Sequence, residues 1–299
     1  MTPGGYVWWY LDGLSADGRH GITIIAFIGS VFSPYYFWAG RRDPRDHCAL
    51  NVALYSPGGR WCMTERRRTS LDTGPRHLTI GPSGLTWDGD TLTVRIDETG
   101  APVPLPLKGE VRLRPDALTR ETFAIDGAGR HRWSPLAPRA RVEVALSDPS
   151  LSWSGSGYFD TNIGDEPIAD GFEYWTWSRA DAEDGAAVLY DVIRKDGSTM
   201  DLALRFDGQG GVEPFASPAR AALPRTPIWR VPRETRGDDP TRTTVRRTLE
   251  DTPFYSRSMV ETSILGRPLL AMHESLCCER LDTHWVRTLL PFRMPRALW

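Results

Sequence analysis

The sequence predicts an all-β fold built of antiparallel barrels or sandwiches. Three observations carry that expectation. Apolar and polar residues alternate with a period of two in several stretches, turn signals separate those stretches at hairpin spacing, and no segment has the periodicity of a long amphipathic helix.

Leu92, Val94 and Ile96 alternate with Thr91, Thr93 and Arg95, Val142, Val144 and Leu146 with Arg141 and Glu143, and Leu202, Leu204 and Phe206 with Asp201 and Arg205. Each reads as a strand with one face on a core and one in water. Between them stand Pro57-Gly58-Gly59, Gly81-Pro82-Ser83-Gly84, Asp88-Gly89-Asp90, Asp196-Gly197 and Asp207-Gly208-Gln209-Gly210-Gly211. Such strings suit antiparallel hairpins, because glycine and aspartate accept the backbone angles of tight turns. The 28 glycines and 24 prolines are spread along the chain, a pattern of barrels or sandwiches and not of alternating strands and helices.

A chain of 299 residues exceeds the size at which one core usually stops growing, so two domains of about 150 residues are expected. The stretch Asp126 to Arg139, with Asp126-Gly127-Ala128-Gly129, Pro135 and Pro138, interrupts strand-like sequence and places the boundary near 138, giving domains 1–138 and 139–299. The proline-rich stretch Ala219 to Pro240 is the alternative, but it leaves a C-terminal piece too small to close a barrel.

With 40% hydrophobic and 25% charged residues the composition is globular. A net charge of -2 argues against a nucleic-acid partner, which needs a clustered basic excess, and Arg66-Arg67-Arg68 reads as a solvated face. Cys48, Cys62, Cys277 and Cys278 lack metal-ligand spacing, and no cleavable leader precedes Tyr6, so a reducing compartment is expected. Adjacent Cys277 and Cys278 are expected on opposite faces of a strand. The longest apolar run, Ile22 to Trp38, is broken by Gly29, Ser30, Ser33 and Pro34 and falls short of the roughly 20 residues a spanning helix needs. Its aromatic end is expected as a greasy loop at a cavity mouth or on a membrane surface.

The 12 tryptophans cluster: Trp8-Trp9, Trp133, Trp153, and Trp175 with Trp177 on one strand face. Trp8, Trp61 and Trp87 read as ordinary core packing. Around Asp160 the tryptophans are interleaved with His131, Tyr158, Asn162, Asp165, Glu166 and Glu173, which points to an aromatic-lined cavity holding polar groups. Strand alternation puts Tyr158, Asp160 and Asn162 on one face, where burial forces each polar group to find a partner or shift its protonation. The same residues also fit a turn before Gly164. No phosphate loop, nucleophile elbow or zinc signature is present.

His131-Arg132-Trp133-Ser134-Pro135, Arg141-Val142-Glu143-Val144, Trp153-Ser154-Gly155, Gly157-Tyr158-Phe159-Asp160-Thr161-Asn162 and Gly164-Asp165-Glu166-Pro167 together resemble the acyclic carotenoid 1,2-hydratases, or hydroxyneurosporene synthases. Trp8-Trp9-Tyr10, Ser33-Pro34-Tyr35-Tyr36, His284-Trp285 and Pro291-Phe292-Arg293-Met294-Pro295 extend the resemblance over nearly the whole chain. The resemblance implies two lipocalin-like β domains. It implies addition of water across the terminal C1–C2 double bond of neurosporene, lycopene or related acyclic carotenoids, giving a tertiary alcohol at C1 without a cofactor and without a metal. Carried over by motif, the functional positions are His131, Trp133, Tyr158 and Asp160.

Such a hydration needs an acid for C2, a stabiliser for the C1 cation and a placed water. Asp160 is the expected acid, which requires burial to push its carboxyl well above the ordinary carboxylate range. Trp133 and Tyr158, with Trp175 or Trp177, are expected to stabilise the cation through their π faces, and His131 to bond Asp160 or the water and take up the released proton. The water-placing group stays open among His131, Asn162, Asp165, Glu166 and Glu173. A water-insoluble polyene must be taken from a membrane, so reversible association with the cytoplasmic face is expected, with Phe37 and Trp38 as contacts that also line the substrate path. The aromatic cavity alone fits equally a carrier of an apolar polyene, or a pericyclase or isomerase on the same architecture.

Overall fold

The computed structural model describes residues 1–297 and bears out the all-β expectation. The chain forms two compact units. The first comprises residues 1–124, 128–167 and 288–297, and the second residues 125–127 and 168–287.

In the first unit the strands are β1 (Tyr6–Ser15), β2 (Gly21–Ile28), β3 (Cys48–Tyr55), β4 (Trp61–Arg66), β5 (Leu71–Gly74), β6 (His77–Ile80), β7 (Ser83–Trp87), β8 (Leu92–Thr99), β9 (Pro106–Pro115), β10 (Phe123–Ala124), β11 (His131–Asp148) and β12 (Ser150–Gly164). They make one nearly closed antiparallel barrel sheet in the order β4-β3-β2-β1-β12-β11-β9-β8-β7-β6-β5, with β10 paired to β11. The alternation read in Leu92, Val94 and Ile96 is β8, whose burial alternates residue by residue, while β3 is buried at every position. A strand buried on both faces shows that the sheet has a second covered face, and on β1, β12 and β11 that face carries the polar cluster described below.

One face of this sheet holds a continuous apolar core that includes Leu11, Ile24, Val52, Val94, Leu113 and Val144, with Trp9, Trp153 and Phe159 packed against it. Burying a Val, Leu or Ile side chain stabilises by roughly 1.5–3 kcal/mol, so this face is the main driving force of the unit. Position 138, where the sequence places a boundary, lies inside β11. The two prolines behind that expectation mark irregularities within the strand: its register against β12 shifts between Ser134 and Ala137 and again between Ala137 and Ala140. A proline has no N–H for the ladder, so β11 bulges there and then continues.

The second unit holds β13 (Phe172–Ala182), β14 (Gly185–Arg194), β15 (Thr199–Asp207), β16 (Val212–Pro214), β17 (Ala219–Leu223), β18 (Arg233–Gly237), β19 (Thr244–Asp251), β20 (Tyr255–Ile264) and β21 (Arg267–Cys277). Seven form a sheet in the order β16-β15-β14-β13-β21-β20-β19, and β17 pairs with β18 as a separate hairpin. The turn expected at Asp196-Gly197 joins β14 to β15, with Gly197 at φ +78, a conformation only glycine adopts freely.

Among the described residues no helix is long and apolar enough to cross a membrane. The aromatic stretch expected as a loop is a short helix, α1 (Pro34–Trp38), because Ser33 caps it by accepting from Tyr36 N at 2.9 Å and Pro34 presets its first turn. Two further readings need correction. Arg66 is not solvated: it is buried and pairs with the buried Glu98 at 2.7 Å, leaving Arg67 and Arg68 exposed. Cys277 and Cys278 do not share a strand, since Cys277 ends β21 and Cys278 opens a four-residue helix.

Candidate active site

The site is built on three adjacent strands, β1, β12 and β11. Antiparallel pairing sets Tyr6 beside Gly164, Trp8 beside Asn162, Tyr10 beside Asp160 and Asp12 beside Tyr158. On the other side of β12, His131 lies beside Gly164 and Trp133 beside Asn162. Because side chains alternate across a sheet, all of these project from one face. It is the face opposite the apolar core, to which the intervening Val7, Trp9, Leu11 and Phe159 belong. The turn reading of Tyr158 to Asn162 falls away, because the segment is the interior of a 15-residue strand.

The whole cluster is removed from water. Tyr158, Trp133, His131 and Asp12 are 0% exposed, and Asp160 is 4% exposed. Burial of an acid is costly unless it is hydrogen-bonded, and Asp160 is: Oδ2 accepts from Trp133 Nε1–H and from the Tyr158 hydroxyl, each at 2.8 Å. Burial, and next the neighbouring Asp160, push the Tyr158 phenol well above its ordinary range, so it stays a donor. Tyr10 meets Tyr158 edge-on at 6.0 Å between ring centres and donates its hydroxyl to Asp12 Oδ2 at 3.0 Å.

His131 sits at the Tyr6 end of the cluster. Its Nδ1 meets the Tyr6 hydroxyl at 2.8 Å and its Nε2 lies 3.3 Å from Glu166 Oε1, so both nitrogens are engaged away from the expected bond to Asp160. Gly164 makes this possible, because a Cβ there would collide with the Tyr6 ring. Tyr6 in turn stacks on Trp8 at 4.9 Å, so Trp8, read as plain core, lines the same face.

The other sequence candidates divide. Asn162 is buried on the site face. Glu166 reaches it through His131, but its second oxygen is held by Arg130. Asp165 turns outward to Arg132 at 2.9 Å. Glu173, Trp175 and Trp177 belong to β13 of the second unit, where Trp175 packs edge-on against Phe172 and Tyr190. Phe37 and Trp38 lie on α1. The buried Tyr36 hydroxyl fixes that helix to the Gly5 carbonyl at 2.9 Å, one residue from Tyr6, while Trp38 is 53% exposed.

The expected aromatic cavity exists in part. A space of about 330 Å³ in the first unit is lined by Trp9, Trp87, Leu92, Leu113 and Phe159, on the core side of the sheet and not on the Asp160 side. Among the described residues, no three His, Cys, Asp or Glu side chains gather in a metal-binding group.

The sequence reading missed Tyr6, Tyr10 and Asp12. One signal was available: Tyr10-Leu11-Asp12 repeats the spacing of Tyr158-Phe159-Asp160.

The chain matches the family model described as carotenoid hydratase CrtC over residues 24–299. It is 53% identical over 301 residues to the acyclic carotenoid 1,2-hydratase of Thiocapsa roseopersicina, and 50% identical over 303 residues to that of Rubrivivax gelatinosus. Each match covers 99% of this chain and 74% of the relative. Among solved structures it resembles an AttH protein from Nitrosomonas europaea, with a TM-score of 0.60 and 16% identity, covering 91% of this chain and 92% of that one. It also resembles kievitone hydratase from Nectria haematococca, with a TM-score of 0.55 and 9% identity, covering 94% and 90%. At such identities the two structures show the fold alone.

Proposed function

The chain belongs to the carotenoid hydratase family, and from that premise we propose that it adds water across the terminal C1–C2 double bond of an acyclic carotenoid such as neurosporene or lycopene, with Asp160 as the acid. The observation that carries the reading is the buried Asp160 carboxyl with two donors converging on one oxygen. In a carboxylic acid the oxygen that accepts is the carbonyl oxygen, so the proton to be given belongs on Oδ1.

Transfer of that proton to C2 leaves a tertiary cation at C1 and a carboxylate at Asp160. The bonds from Trp133 and Tyr158 strengthen as Oδ2 gains negative charge, and they favour the transition state over the neutral acid. The Trp133, Tyr158 and Tyr10 rings supply π faces for the cation, worth about 2 kcal/mol each when desolvated. Water then closes the reaction at C1. The addition is redox-neutral, so the reading calls for no redox cofactor. His131, gripped by Tyr6 and Glu166, acts as a positioning group beside Trp133.

A polyene this apolar resides in lipid, and the reading includes reversible docking on the cytoplasmic face of a membrane. The exposed Trp38 and its neighbour Phe37 support it, since α1 is tied to Gly5, the residue before the strand that carries Tyr6, Tyr10 and Asp12. Anaerobic incubation with lycopene in detergent tests the reaction. A product heavier by one water is expected from the native protein and none from Asp160→Asn, whereas lycopene recovered unaltered from the native protein would mark a carrier.

A further inference from the structure

Two Tyr-x-Asp motifs meet in this site. Tyr10 donates to Asp12 on β1, and Tyr158 donates to Asp160 on β12. Because the strands run antiparallel, Tyr10 lies beside Asp160 and Asp12 beside Tyr158, so the two pairs are related by the local twofold of the β1/β12 pairing. Both carboxyls are buried on the same face, and the charge of Asp12 is felt at the Tyr158 phenol.

Resting on the hydratase reading above, we propose that Asp12 is the general base of the site, taking the proton from the water that attacks C1. Once its proton is on C2, Asp160 is a carboxylate accepting from both Trp133 and Tyr158. These two donors lower its basicity toward the attacking water, which favours a second carboxylate as the base. The carboxylates suggested by sequence are poorly placed for this. Asp165 is turned out to Arg132, Glu166 is shared between Arg130 and His131, and Glu173 stands in the second unit. Asp12 is a carboxyl on the face of Asp160, one strand away.

The proton count closes. The water oxygen forms the C1–O bond while one O–H bond breaks toward the Asp12 carboxylate, which becomes a carboxyl. Asp12 then passes a proton to the Tyr158 oxygen as Tyr158 releases its own to Asp160 Oδ2, which restores the Asp12 carboxylate. The Asp160 acid is restored once its carboxyl turns over to present its other oxygen to Trp133 and Tyr158. No oxidant, reductant or second reactant is involved. Tyr158 is suited to this return because it is never ionised at rest, and Tyr10 orients Asp12 through its hydroxyl.

The test is Asp12→Asn assayed with lycopene in deuterium oxide, reading hydrated product and deuterium in recovered substrate separately. Loss of a general base is expected to lower hydration about 10²- to 10⁴-fold, while Asp160 still protonates C2 reversibly, so deuterium enters recovered lycopene. Asp160→Asn should lose both signals; if it keeps both, the acid assignment fails, which is distinct from failure at Asp12. Hydration by Asp12→Asn at the parent rate overturns the proposal, as does loss of deuterium entry together with hydration in a folded variant. Should Asp12→Asn not fold, Tyr10→Phe keeps the carboxylate and removes only its orienting bond. It is then expected to lower hydration about tenfold with deuterium entry intact, and an unchanged hydration rate overturns the proposal.

Discussion

Trp133 Nε1 lies 2.8 Å from Asp160 Oδ2, a bond that links β11 to β12 with both residues removed from water. Nothing in the composition marks this tryptophan apart from those that fill the core, yet here the indole N–H supports an acid. A hydrogen bond to a charged partner contributes about 1.5–3 kcal/mol. Trp133→Phe keeps most of the ring and removes the donor, so it is expected to lower kcat about 10- to 100-fold with little change in Tm. Single-turnover hydration assays together with a melting curve check it, and an unchanged kcat would detach Trp133 from the acid.

Tyr158 gives the second bond to the same oxygen, and the proposed proton return also runs through it. Tyr158→Phe is therefore expected to cost more than Trp133→Phe, about 10²-fold or more in kcat. The native rate should show no loss near pH 10 that vanishes in Tyr158→Phe, because burial and the neighbouring Asp160 hold the phenol neutral well above its ordinary range. Comparing the alkaline limbs of the two pH–rate profiles checks both statements.

How far the site was legible depends on chain distance. Tyr158, Asp160 and Asn162 follow one another at the period of a strand, and alternation alone put them on one face, as β12 does. Asp12 and Tyr10 reach the same place from the far end of the first unit, through a pairing of β1 with β12 that no local pattern announces. Tyr6 and Trp8 were lost for the same reason, since an aromatic run at a strand start looks like core until its partner strand is known. The strands themselves were legible wherever one face is wet, as in β8. At β3, buried throughout, no alternation exists to read. The boundary near 138 rested on Pro135 and Pro138, and a proline interrupts the ladder equally at a linker and at a bulge.

In the second unit, His273 is fully buried between β13 and β20, and its Nε2 donates to the Glu234 carbonyl at 2.8 Å. Burial, with the nearby Arg233 cation also opposing protonation, holds the ring pKa down to about 4, against an ordinary 6.5. Above pH 6.5 both folded and unfolded chains carry a neutral ring. Below it the unfolded chain binds a proton that the folded chain refuses, so stability falls as pH drops from 6.5 toward 4. The loss from this residue is about 2 kcal/mol between pH 6.5 and 5. Urea unfolding at the two pH values should show a smaller drop for His273→Gln than for the native chain. Equal drops in both would mean that His273 is not the source.

The proposed capture of the polyene from a membrane rests on α1. Trp38 meets Tyr35 edge-on at 5.7 Å and stays half exposed, and Arg41 lies 4.9 Å above the Phe37 ring. An exposed tryptophan next to a phenylalanine that carries a cation over its ring suits the boundary between lipid headgroups and acyl chains. The double change Phe37→Ser and Trp38→Ser removes apolar contacts without touching Ser33 or Tyr36, which hold α1 in place. Flotation with liposomes is expected to fall several-fold, and hydration of lycopene in liposomes to fall with it, while hydration in detergent stays near the native rate. That split separates capture of the polyene from its chemistry: a loss in detergent equal to that in liposomes would move Phe37 and Trp38 from the membrane contact to the reacting site.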